Sequence, residues 1–267
     1  MKIQYASDLH LEFKENVDFI MKNPLKVNGE ILILAGDINV INKEDFMENP
    51  FWDWASENYK QVIIAFGSHE FYKNYDLSTM KDGFKYKVRD NVYYYYNCVI
   101  NIDDVDIIVS TLWSYINKEI AEKIQMVISD FRLIKWGNKA LSVKEYNKEH
   151  KKCLNFIKKS LSESKAKTKI VVTHHVPSNL LNPKEFEGKD INAAFTVDLT
   201  EYIKKCGAKF WIFGKSHRNI NKIIGKTSCI CNQMGYISED EHLTFDSSKS
   251  FDVNYIKFIK LVKFFKY

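Results

Sequence analysis

Five short polar motifs, each leaving the end of an apolar run, constrain this chain more than any other feature. Asp8-Leu9-His10 follows the run at residues 2–6, Gly36-Asp37 follows ILILA at residues 31–35, and Gly67-Ser68-His69-Glu70 follows residues 61–66. His174-His175 follows residues 169–173, and Gly214-Lys215-Ser216-His217 follows residues 209–213. The runs are rich in β-branched and aromatic residues and read as strands. In an open α/β sheet, ligands bind beyond the carboxyl ends of the strands. Five Asp- and His-bearing segments at those ends converge on one edge, where a metal site is expected. A lone histidine beside a core strand is more often packed or exposed than ligating. The ordered set of five outweighs that alternative.

Residues 106–112 read as a further strand, and residues 43–59, 119–128, 143–162 and 196–205 read as helices. Strands alternating with helices predict a layered α/β fold. The unbroken apolar ILILA predicts a strand buried on both faces. Val92 to Tyr96 and Cys98 to Ile102 read as adjacent antiparallel strands. The four tyrosines from Tyr93 to Tyr96 then alternate between faces with their hydroxyls at the surface, a stacking platform for a base or sugar being the other use. Without an internal repeat or linker, residues 1–267 are expected to form one domain, long enough to bury a substantial core.

Carboxylate oxygens and imidazole nitrogens together suit Mn, Fe or Zn better than Ca or a purely oxygen-ligated Mg. Asp8 and His10 are two apart, so an extended backbone would point both side chains to one side. Asp37 has two carboxylate oxygens and can bridge two cations. Two metals about 3.5–4 Å apart clamp both oxygens of an in-line phosphoryl displacement.

The 39 basic and 34 acidic residues are intermixed, and the net charge of +5 reads as a solvated surface. It permits an anionic substrate and gives no reason to expect a nucleic-acid partner. Five cysteines without CxxC spacing imply free thiols, as in a reducing cytosol, so a cytoplasmic location is expected. The opening MKIQYASDLHLEF does not read as a secretory signal, and no stretch is long and apolar enough to span a bilayer.

The order DxH, GD, G-[N]-H-E, H and GHxH resembles that of the calcineurin-like metallophosphoesterase superfamily, across nearly the whole chain. A bacterial branch of predicted phosphohydrolases is similar in further stretches: Ser7 to Phe13, Thr111 to Trp113, Asp130 to Leu133, Thr173 to Ser178, Ala193 to Phe195 and Gly235-Tyr236. The resemblance implies a four-layer α-β-β-α sandwich with the metal site at the strand C-terminal ends. It also implies hydrolysis of a phosphomonoester or phosphodiester by metal-activated water, on a small phosphorylated substrate. Asp8, His10, Asp37 and His217 become the ligands of one metal. Asp37, the residue at 68, His174 and the residue at 215 become those of a second. His69 matches the histidine that protonates the leaving group or stabilises phosphoryl charge, and Glu70 is its structural companion.

Two positions depart from the family pattern. Ser68 stands where the family has Asn, and Lys215 where it has His. Neutral Ser is a weak ligand, and a protonated Lys has no lone pair to offer. Both changes strike the second site and spare the first. The expected centre therefore holds one Mn, Fe or Zn ion, with a second at most weakly held. Lys215 is the candidate substitute for the second cation, kept charged by Asp37 despite burial and gripping a phosphate oxygen as a point charge.

Two other readings compete. One is an impaired pseudoenzyme that binds a phosphorylated ligand or a protein partner, against which the retained His69 counts. The other is a nuclease, disfavoured by the even charge distribution. Arg132 and His175 are candidate substrate contacts, with a salt bridge and core packing as their respective alternatives. His150 and His242 read as surface residues, and Cys229 and Cys231 as core packing on one strand face. The segment YIKFIKLVKFFKY at residues 255–267 reads as continuing a final core strand in its first part, and then as a basic, apolar C-terminal extension that packs on the domain or meets a membrane surface or partner.

Overall fold

A computed structural model describes residues 1–253 of the chain. Strands β1 (Lys2–Ala6), β2 (Ile31–Leu34) and β3 (Gln61–Ala65) are parallel neighbours, joined through helices α1 (Lys14–Lys22) and α2 (Pro50–Asn58). β4 (Phe84–Arg89) and β5 (Val92–Tyr96) form an antiparallel hairpin whose second strand lies parallel to β3. A second hairpin, β6 (Cys98–Ile102) and β7 (Val105–Val109), starts another sheet. Helices α3 (Ala121–Val127) and α4 (Asp130–Leu133), the ribbon β8 (Lys135–Trp136) and β9 (Lys139–Ala140), and the long α5 (Val143–Glu163) follow. β10 (Thr168–Val172), the short helix α6 (Thr200–Ile203), β11 (Phe210–Ile212), β12 (Lys222–Ile224) and β13 (Thr227–Ile230) complete the second sheet. β14 (Ser250–Asp252) returns to pair antiparallel with β1.

The sheet orders are β14-β1-β2-β3-β5-β4 and β12-β13-β11-β10-β7-β6. Alternate side chains leave opposite faces of a strand, and that rule builds the layers. Ile3, Ile31, Ile33 and Ile63 of the first sheet pack against Ile107, Val109, Ile170 and Val172 of the second. Leu32, Leu34, Val62 and Ile64 point the other way, where Ile20 of α1 and Phe51, Trp52 and Ala55 of α2 cover them. Outside the second sheet, Ile108, Val171 and Trp211 meet Ile157 and Leu161 of α5 and Ile203 of α6. The result is the four-layer α-β-β-α sandwich, and β2 is buried on both faces as ILILA predicts. Trimming one methyl between the sheets tests that packing. Ile33→Val should cost about 1 kcal/mol, read as a lower urea midpoint at unchanged slope. An unchanged midpoint would mean the layer is not close-packed there.

Several sequence expectations are corrected. β5 and β6 occupy the expected residues but are not partners, because they belong to different sheets. Asn97 turns the chain between them at φ 47°, a left-handed conformation that Asn tolerates. Its Oδ1 accepts from the Ser110 hydroxyl at 2.6 Å. The tyrosine hydroxyls do not all reach the surface: Tyr94 and Tyr96 are fully buried, and Tyr96 donates to Glu149 Oε2 at 2.5 Å. The helix expected over 43–59 starts only at Pro50, where the missing N–H costs nothing and Asn49 Oδ1 accepts the Phe51 N–H. Residues 196–205 yield only the single turn of α6. His150 is buried, with Nδ1 3.1 Å from the Trp113 carbonyl, and His242 is half-buried with its ring against Phe19. Cys229 and Cys231 do pack in the core, and all five thiols are free. Among the described residues, no helix is long and apolar enough to cross a membrane. The extension at 255–267 lies outside the described residues.

Candidate metal centre

The motif-bearing ends belong to both sheets: β1, β2 and β3 from the first, β10 and β11 from the second. The sandwich sets these ends side by side. Asp8 and His10 do reach one site, but not through extended backbone. Both are left-handed, at φ 54° and 46°. The loop they form is tied to the loop after β2, with Asp8, His10 and Leu11 N–H donating to the carbonyls of Gly36, Asp37 and Ile38. Asp37, Lys215 and His217 are left-handed as well, at φ 53°, 81° and 51°. Each such non-glycine residue costs on the order of 1–3 kcal/mol. That five of them gather here marks a site held by its surroundings.

Close approach explains two of the glycines. A Cβ on Gly67 would lie 2.2 Å from Asp37 Oδ1, and one on Gly214 would lie 2.6 Å from Asp8 Oδ2. Both carboxylates therefore lean directly on backbone. Asp37 Oδ1 accepts the Ser68 and His69 N–H groups at 2.7 and 2.9 Å. Asp8 accepts the Lys215 N–H at 3.0 and 3.2 Å and the Ser7 hydroxyl at 2.6 Å. Glu70, fully buried, braces the same loops by accepting N–H groups from Asp37, Ile38 and Gly67. Burial and the neighbouring Asp37 push its carboxyl up to about 7.

Three overlapping groups could each hold an ion: Asp8, His10 and His217; His10, Asp37 and His69; and Asp8, Asp37 and His174. The side chains fit such an ion in two ways. His10 Nε2 and His217 Nε2 face each other at 3.0 Å, while their Nδ1 atoms are held by Glu12 at 3.0 Å and Glu241 at 2.5 Å. With both Nδ1–H groups donated, two lone pairs confront one another unless a proton or a cation lies between them. The second sign is His174. Its Nδ1 donates to the Ala35 carbonyl at 2.9 Å, and its buried Nε2 has no hydrogen-bond partner although Asp37 Oδ2 is 3.1 Å away. Such outer partners fix the tautomer a metal needs. Burial works to raise the carboxyl pKa of Asp8 and Asp37, yet the nearby histidines, with Lys215 beside Asp37, hold both below the ordinary range.

Ser68 and Lys215, the two departures, are bonded to each other. Lys215 Nζ donates to Ser68 Oγ at 2.6 Å, and its side chain is 7% exposed. Asp130 Oδ2 lies 3.8 Å from Nζ and has no hydrogen-bond partner of its own. Burial opposes the charge on Lys215, but Asp130, Asp37, Asp8 and Glu70 together hold its pKa above the usual value. His69 is raised too, because Asp37 and Glu12 overcome the effect of burial. Its Nδ1 lies 2.7 Å from Glu12 Oε1, and its ring stacks 4.2 Å from that of Tyr72.

Asp8, His10, Asp37, Ser68, His69, His174, Lys215 and His217 are thus brought together. Arg132 and His175 are not. Arg132 is exposed and donates to the Met126 carbonyl at 3.0 Å, outside the cleft that Ser129, Asp130 and Leu133 help to line. His175 is fully buried against Tyr146, 3.0 Å from its hydroxyl, and burial pushes its pKa well down.

Two residues that serve the site escaped the sequence reading. Glu12 accepts from His10 and His69 with the same oxygen, and Glu241 orients His217. The repeat of the two-residue spacing in Asp8-His10-Glu12 was a usable signal. Glu241, 24 residues beyond His217, had none. Glu12→Gln keeps the shape but loses the charge shared by both histidines. It should lower metal affinity or activity by about 10–100-fold, measured by competition with a chelator and by turnover. Wild-type values in both assays would remove Glu12 from the site.

Comparison with known proteins follows this geometry. The sequence pattern of one family, calcineurin-like phosphoesterase, matches residues 1–219. An uncharacterised protein of Acanthamoeba polyphaga mimivirus is 28% identical over 263 residues, covering 89% of this chain and 92% of its own. The crystal structure of phosphopantetheinyl hydrolase from Mycobacterium tuberculosis superposes with a TM-score of 0.63 at 15% identity, over 89% of this chain and 90% of that one. At that identity the likeness is one of fold.

Proposed function

Because this chain belongs to the calcineurin-like phosphoesterase family, whose members bind divalent metals, we propose that it hydrolyses a phosphate ester at a single-ion centre. In this reading Lys215 supplies the second positive charge. The observation that carries it is the buried Lys215 ammonium, bonded to Ser68 and facing the Asp37 side of the cleft.

Asp8, His10 and His217, whose ligand atoms lie close together, would hold the ion, with Asp37, which groups with His10 and with Asp8 in turn, as its fourth ligand. A divalent ion there supplies Lewis acidity toward phosphoryl oxygen and water. The residues of the chain do the rest. Lys215 keeps its proton and donates to a non-bridging phosphoryl oxygen, and it cannot accept a proton from water. Asp37, fixed by two backbone N–H groups, holds its second oxygen toward His174, from where it would reach the ion. His69, its Nδ1 side engaged by Glu12, holds a proton on Nε2, 4.0 Å from Asp37 Oδ2 and on the cleft wall. As water bonds to phosphorus and the bond to the leaving oxygen breaks, that proton passes to the departing alkoxide, and the proton the water loses stays on the phosphate released.

Elemental analysis after incubation with Mn and Zn, alongside hydrolysis of p-nitrophenyl phosphate and its bis ester with and without chelator, tests this. About one ion per chain and chelator-sensitive turnover are expected. Two ions per chain would overturn the single-ion centre, and absence of turnover on both esters with the metal loaded would favour the binding-only alternative.

A further inference from the structure

The cleft over Lys215, about 350 Å³ in volume, is lined by charged groups and apolar side chains together. Phe195 stands with its ring 5.6 Å from Lys215 Nζ, Tyr72 is stacked on His69, and Tyr236 lies 4.8 Å from His217, ring to ring. Three half-buried rings therefore border the groups that would face a phosphate. Phe186 packs 5.8 Å from Phe195, and Val127 and Leu133, 53% and 44% exposed, line the same cleft. Aliphatic side chains left this open at the mouth of a charged cleft are a surface awaiting apolar contact.

The charges say what does not enter. Among the described residues lining the cleft, Lys215 is the only Lys or Arg, and there is no Asn or Gln. Asp130 and Glu241 lie on the same walls. One phosphate finds a cation here. A second phosphate finds no further Lys or Arg on the lining and meets Glu241, which Arg218 and His217 already engage.

Building on the phosphate seat proposed above, we propose that the substrate is a monophosphate ester of an apolar alcohol, its hydrocarbon part seated against Phe186, Phe195, Val127 and Leu133. Polyphosphates are disfavoured, because Lys215 is the one Lys or Arg among the described lining residues and Asp130 and Glu241 stand beside it. The hydrocarbon leaves water as it fills the cleft, and binding tightens with each methylene covered.

Alkylphosphonates, which cannot be hydrolysed, test the seat without relying on turnover. Calorimetric titration of the Mn-loaded protein with ethylphosphonate and hexylphosphonate should show the longer chain binding roughly 30-fold tighter, below the full-burial limit for four methylenes. Leu133→Ser with Phe186→Ser should reduce that ratio to about 5-fold or less. Both side chains are partly exposed, so the fold does not depend on them. A wild-type ratio within about 2-fold, or pyrophosphate binding more tightly than phosphate by about 10-fold, would overturn the proposal. Hexylphosphonate binding with no hydrolysis of hexyl phosphate would keep the apolar seat and overturn the hydrolase reading. Hydrolysis of both esters with no chain-length preference would do the reverse. Failure to bind either phosphonate would overturn the phosphate seat and, with it, this proposal.

Discussion

Asp8→Asn is expected to abolish metal binding and to lower hydrolysis by well over about 100-fold, the upper range for a group that merely orients a ligand. The substitution is nearly isosteric, so its effect isolates charge and donor pattern. Asp8 is fully buried, accepts from the Ser7 hydroxyl and the Lys215 N–H, and lies 3.5 Å from His217 Nε2. An amide in its place either turns its NH2 toward the Lys215 N–H, donor against donor, or toward the site, where it offers no electrons to a cation. The anion that His217 faces is lost in both cases. Elemental analysis and turnover on p-nitrophenyl phosphate check the outcome, with circular dichroism to establish that the chain still folds. Turnover that survives at wild-type level would sink the assignment of the first ion.

The second large effect is a gain. Ser68→Asn together with Lys215→His should raise the metal content from about one ion to about two per chain. The two positions are coupled through the 2.6 Å hydrogen bond from Lys215 Nζ to Ser68 Oγ, so neither change alone restores the site. Lys215→His alone leaves only the weak Ser68 hydroxyl, and Ser68→Asn alone presses an amide against a buried ammonium. In the double variant the imidazole and the amide oxygen would join Asp37 and His174, whose Nε2 is already unpartnered. Asp130 Oδ2, 3.8 Å from Nζ, loses its nearby cation unless an ion takes that role. The double variant should therefore be less stable than the wild type without metal and regain stability when metal is added. A content that stays at one ion would overturn the ligand assignment for the second site.

Strand positions were legible because both faces of the central strands are buried. ILILA and VIIAF carry no polar residue to confuse the pattern, and each is followed by a Gly that lets a site side chain close on backbone, His174 on Gly36 and Asp37 on Gly67. The edge elements were less legible. β5 and β6 have the right residues for strands, but which strand pairs with which depends on Asn97, one residue whose left-handed turn sends the chain to the other sheet. The tyrosine run hid a similar decision, because alternation says which side chains share a face and not which face is covered.

By itself the sequence determined the layered α/β class and the order of the Asp- and His-bearing motifs, and its likeness to the family singled out Ser68 and Lys215 as departures from that pattern. Those are properties of local pattern, carried by residue type and spacing along the chain. Only the tertiary structure decided that Ser68 and Lys215 touch, that one Glu12 oxygen serves two histidines, and that Glu241 completes the His217 side. It also removed Arg132 and His175 from the cleft. The reason is physical. Contacts between residues 24, 57 or 147 positions apart depend on which strand ends come together, ends of one sheet for Glu12 and His69 and the ends of two sheets for Ser68 and Lys215, and no local pattern encodes that.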